Sequence, residues 1–82
     1  MTLRISQEHV SELEDLVESG DVVLSERRSV FLNKLGRDTT LDDEKLILAC
    51  AATDDDDDDL FIANAQLVEK GEYEVGDTDT AA

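Results

Sequence analysis

The chain reads as an all-α protein, a small three- or four-helix bundle with a disordered acidic C-terminal tail, and three observations predict it. Apolar residues recur at the helical period in successive segments, each segment has its own start and stop residues, and no proline interrupts any of them. With 82 residues, 40% of them hydrophobic, the chain can build one core. Its aromatics are Phe31, Phe61 and Tyr73 alone, so that core is expected to be aliphatic.

Taken in order, Ser6 is placed to cap a first helix, QEHVSELEDLVES, that stops at Gly20. Val10, Leu13, Leu16 and Val17 fall on one of its faces. Ser25 is placed to cap a second helix, ERRSVFLNKL, ending at Gly36, with Val30, Phe31 and Leu35 inward and Leu24 as a further candidate for that face. Thr39 or Thr40 opens a third, LDDEKLILACAA, and Thr40 with Asp43 three residues on fits an acidic capping pattern. Its near-continuous apolar run, Leu46 to Ala52, predicts the buried central helix. A fourth helix, LFIANAQLVEK, runs to Gly71. The helical domain is therefore expected over residues 1–71 and the tail over 72–82. An alternative makes Leu60–Ile62 a short strand paired with Tyr73-Glu74-Val75, although two short strands alone are marginal.

Charge is the other strong signal. The chain carries 22 Asp and Glu against 7 Lys and Arg, a formal net charge of −15, and six consecutive aspartates run from Asp54 to Asp59. The later aspartates are expected to form the first turn of the fourth helix, where acids complement the positive end of the macrodipole. Cations concentrate in one stretch, with Arg27, Arg28, Lys34 and Arg37 facing only Glu26 within residues 25–37. That stretch is either an internal tie that draws the acidic flanks together or the solvated face of an ordinary amphipathic helix.

The inventory for catalysis is thin. His9 is the lone histidine and is expected to be partly exposed, paired with Glu12; Cys50 lies in an apolar run where burial makes a thiol inert. No phosphate-cradling glycine loop, nucleophile elbow or zinc spacing occurs, so no enzyme activity and no cofactor is expected. The aspartate run lacks the glycine and glutamate of a calcium loop: position six would be Asp59 and position twelve Ala65. The longest apolar run is too short to span a membrane and nothing resembles a secretory signal, so a cytoplasmic protein is expected.

Direct nucleic-acid binding is disfavoured by sign, but binding to a basic, nucleic-acid-binding protein is favoured. Carboxylates on adjacent helical turns lie roughly 6 Å apart, a spacing comparable with phosphates along one strand. Glu8, Glu12 and Asp15 form such a row on the first helix. Asp42 and Asp43 supply another with Asp54, Asp55, Asp56, Asp57, Asp58 and Asp59. The run is the expected main contact, and exchanging it for asparagine is expected to leave the fold intact or slightly steadier.

In size, charge and lack of catalytic residues the chain resembles the DNA-mimicking inhibitors that phages and mobile elements make against restriction, recombination or CRISPR nucleases. The resemblance is one of physical character, and no family motif carries residue roles across. Competing readings are a helical interaction domain from a salt-loving organism, an immunity or antitoxin protein against a basic toxin, and a viral assembly protein. A homodimer is also expected to be accessible, with the third helix or Leu60-Phe61-Ile62 as its seam.

Overall fold

The structure, a computed structural model, describes residues 2–53 and 57–76 of the chain. Its element order is β1 (Leu3–Ser6), α1 (Gln7–Ser19), α2 (Leu24–Leu35), α3 (Asp43–Ala52), α4 (Asp58–Glu69) and β2 (Tyr73–Gly76). A four-helix bundle is present, as the periodicity predicts, and a two-stranded parallel sheet joins its two ends.

The first helix has the bounds read from the sequence. Ser6 stands at its N-cap without a side-chain bond, and Gly20, at φ 90°, closes it by donating its N–H to the Val17 carbonyl at 3.2 Å. Helix α2 begins earlier than expected. Val23 is its N-cap, and Ser25 lies inside the first turn, where its carbonyl accepts the Ser29 hydroxyl at 3.1 Å. Backbone bonds from Glu26 and Arg27 to the Val23 carbonyl start the helix without a polar cap, and the Leu24 side chain packs partly against the core. Helix α3 begins later than expected, because the cap is Asp42 and not Thr39 or Thr40. The Asp42 carboxylate accepts the Lys45 N–H at 2.9 Å, while both threonines are drawn to Glu69.

Helix α3 is the central element and touches α1, α2, α4 and β1. Leu46 and Ala49 are fully buried on it, facing a core completed by Phe31, Phe61, Ala65, Val68, Val10 and Ile5. The residues offered for a homodimer seam are mostly used within the chain: Phe61 and Ile62 are buried, and only Leu60 of that trio is exposed.

The sheet corrects two expectations. Residues 60–62 are helical, so they do not pair with Tyr73-Glu74-Val75. Tyr73–Gly76, expected within the tail, instead pairs in parallel with β1, in the register Leu3–Tyr73, Arg4–Glu74, Ile5–Val75 and Ser6–Gly76. The physical reason is period-two alternation in both segments. Leu3 and Ile5 share a face with Tyr73 and Val75, while Arg4 and Glu74 meet on the other face at 3.6 Å. Ile5 is buried in the core, which anchors a sheet too small to stand alone. Residues 77–82 of the tail lie outside the described residues.

Candidate functional site

Two acidic surfaces compete for the role, and the structure treats them differently. At the start of α4, Asp57 is the N-cap, its carboxylate accepting the Asp59 and Leu60 N–H groups at 3.0 and 3.4 Å. Asp58 and Asp59 occupy the first turn, as the sequence predicts. Both carry an ion pair to α2: Arg27 to Asp58 at 3.8 Å and Lys34 to Asp59 at 3.0 Å. The hydrogen bond from Lys34 to Asp59, and the charges of Asp59, Asp58 and Asp57 around it, push the Lys34 ammonium up from its ordinary value. Asp54, Asp55 and Asp56 lie outside the described residues. The segments on either side of them are held by Asp57 and by Thr53, whose hydroxyl accepts the amide of buried Asn64 at 2.9 Å.

The start of α3 repeats the arrangement. Asp42 caps the helix, and Asp43 lies 3.2 Å from Arg28. The remaining cation of the basic stretch, Arg37, forks onto Glu69 near the end of α4, at 3.0 and 3.4 Å. Every cation of residues 25–37 thus reaches an acid on α3 or α4, which is the internal tie. Arg27 and Arg37 also lie over the rings of Phe61 and Phe31, at 5.3 and 5.2 Å from the centroids. They roof the two core phenylalanines while they hold the acids.

Glu69 is the best-satisfied acid among the described residues and is absent from the sequence reading. Besides Arg37 it accepts the Thr39 hydroxyl at 3.0 Å, the Thr40 N–H at 3.1 Å and the Thr40 hydroxyl at 3.2 Å. Its side chain is only 11% exposed. The Arg37 hydrogen bond first, and the Thr40 and Thr39 bonds with it, hold its carboxyl down at about 2 against the opposing effect of burial. No pattern of neighbouring residues announces this, because its partners lie about thirty positions away in sequence.

Helix α1 is the contrast. Glu8, Glu12 and Asp15 are exposed, at spacings of four and three, and Glu14 and Glu18, not singled out from the sequence, extend them into one outward arc. The helix carries no Lys or Arg, and none of the ion pairs described above involves it. Glu18 moreover lies in the last turn, where the macrodipole is negative and an acid costs a few tenths of a kcal/mol. The opposite face, with buried Val10 and half-buried Leu13 and Val17, packs inward and holds the arc outward.

His9 is exposed on α1, and Cys50 is half-buried on α3. Burial pushes the Cys50 thiol up to about 11, although the charge of Arg27 opposes this, so it is a thiol at neutral pH. Among the described residues no group of three or more His, Cys, Asp or Glu is gathered to hold a metal. Among the same residues no helix is long and apolar enough to cross a membrane. No protein-family model, curated protein or solved structure matches the chain.

Proposed function

We propose that the chain is an acidic binding protein that blocks the nucleic-acid-binding groove of a basic target by presenting a charge pattern like that of DNA. One observation carries the reading: α1 displays five exposed carboxylates and no Lys or Arg, and one of them, Glu18, is in the last turn, which disfavours an acid. Acids placed for folding would sit like Asp42 and Asp57, at helix N-termini, or like Asp59, against a cation. Of the α1 acids only Glu8 stands in the first turn; Glu12, Glu14, Asp15 and Glu18 lie beyond it on the exposed side of a helix without Lys or Arg, which supports an outward use.

The arc works by electrostatics. Carboxylates roughly 6 Å apart along Glu8, Glu12 and Asp15 match cations arranged to grip a phosphate backbone. Opposite potentials steer the encounter, salt weakens it, and occupation of the groove excludes nucleic acid without any chemical step. Such a protein suits counter-defence by a phage or mobile element inside a host cell, against a restriction, recombination or CRISPR nuclease. It needs no cofactor. The aspartate run supports the potential, but its described part, Asp57 to Asp59, is also committed to the fold.

The test is capture from a host lysate at low salt on the immobilised chain, followed by elution with duplex DNA. Expected is release of a nucleic-acid-binding protein by the duplex, with its capture lost when Glu8→Gln, Glu12→Gln and Asp15→Asn are combined. Capture that survives those three changes, or that duplex DNA does not displace, would overturn the reading.

A further inference from the structure

A cleft of about 280 Å³ opens where the α1–α2 turn meets α3 and the start of α4. Its apolar walls are Leu13, Val22, Val23 and Phe61, and two acids, Asp21 and Glu26, also line it. The volume lies just below the range of small-molecule sites, which suits one or two side chains and not a cofactor. Arg27 also reaches the cleft, but its charge faces Asp58 at 3.8 Å and its guanidinium covers the Phe61 ring.

The turn that forms one wall is fixed. The N–H groups of Asp21 and Val22 both donate to the Leu16 carbonyl, at 2.9 and 3.2 Å. This turn leaves Val23, on the wall of the cleft, 43% exposed; Leu16, Leu32, Leu60 and Val75 are the other exposed large apolar residues among those described, and none of them lines the cleft. An exposed valine on a hollow with half-buried Leu13 and Val22 and buried Phe61, edged by acids, matches the anchor pockets of protein interfaces, where one buried side chain carries much of the affinity.

We infer that this cleft receives an apolar side chain flanked by lysine or arginine on the basic partner. The inference rests on the proposed function and adds to it the feature that tells one cationic surface from another. Charge alone attracts any cationic surface; a leucine or similar side chain between cations would seat against Leu13, Val23 and Phe61 while its neighbours met Asp21 and Glu26.

The test uses the full chain and two synthetic peptides of equal charge. One has two central leucines between lysines, and the other has serines in their place. Expected is about tenfold tighter binding of the leucine peptide, the scale set by burying most of one such side chain. Its binding should shift the methyl resonances of Leu13, Val22 and Val23. Val23→Ser places a preferred capping residue at the start of α2, so the fold should persist while the leucine preference shrinks several-fold.

Equal binding of both peptides, with shifts confined to Glu8, Glu12 and Asp15, would overturn the cleft and leave the acidic reading standing. Binding of neither peptide at low salt would overturn both. Shifts of the same methyls on concentrating the chain alone would assign the cleft to a second copy and overturn the inference.

Discussion

In α1 five carboxylates lie on an exposed arc of a helix without Lys or Arg, whereas at the start of α4 Asp57, Asp58 and Asp59 are each engaged, on backbone N–H groups, Arg27 and Lys34. Both regions are built from the same kind of residue in a chain of net charge −15. What separates them is position relative to helix ends and to α2. Acids at the starts of α3 and α4 meet orphan N–H groups and the positive end of a dipole, and α2 lies against both helices. Of the acids on α1 only Glu8 lies in the first turn; Glu12, Glu14, Asp15 and Glu18 lie farther along, on the exposed side of a helix without Lys or Arg. Density of charge therefore does not identify a binding surface; charge that the fold leaves unused is the better guide.

The largest expected effect that sharpens this contrast is at Glu69. Glu69→Gln keeps the shape but weakens a set of bonds that includes an Arg37 fork and three contacts from Thr39 and Thr40. A loss of about 2 kcal/mol in urea unfolding is expected, the scale for hydrogen bonds to a charged group. The pH dependence has a definite sign. A carboxyl lowered from 4.5 to about 2 by folding contributes stability that is fully present above about pH 4.5. That contribution disappears as the pH falls through about 2, so the difference between wild type and Glu69→Gln should narrow over that window and be constant above it.

Next come the caps. Asp57→Ala and Asp42→Ala should each cost about 1 kcal/mol by thermal or urea unfolding, because each removes the acceptor for helix N-terminal N–H groups. Asp57→Asn and Asp42→Asn should cost much less, since asparagine caps nearly as well. Glu12→Gln on α1, which removes the same charge, should change stability by no more than about 0.5 kcal/mol. A cost at Glu12 equal to that at Asp57→Ala would erase the distinction between the two regions.

Much of this was legible in the sequence. Four helices follow from the spacing of apolar residues, and α1 has the bounds that Ser6 and Gly20 mark. The α4 first turn follows from the later aspartates, whereas the cationic stretch left two readings open, an internal tie or a solvated basic face, and the contacts to Asp58 and Asp59 decide for the tie. Of the sheet only a strand at Tyr73-Glu74-Val75 entered the sequence reading, as an alternative with the wrong partner; β1 was not foreseen, because Leu3–Ser6 is four residues long and its partner is at the far end of the chain. Thr39 and Thr40 look like caps locally, and only the distant Glu69 gives them another use. The sign of the effect at the aspartate run was also hidden. Counting charge says that neutralising it relieves repulsion, whereas the contacts at 3.0 and 3.8 Å say that Asp58 and Asp59 help to hold α2.

The smallest effects decide most, because their signs differ. Two variants, Glu12→Gln with Asp15→Asn and Asp58→Asn with Asp59→Asn, remove equal charge from the two regions. Their urea unfolding midpoints should be measured at about 20 mM salt, where screening is weak. Expected is a small rise for the α1 pair, from relief of repulsion, and a fall for the α4 pair, from loss of the contacts to Arg27 and Lys34. Midpoints that shift together, in either direction, would contradict the division of this acidic chain into carboxylates that the fold leaves unused and carboxylates that hold it together.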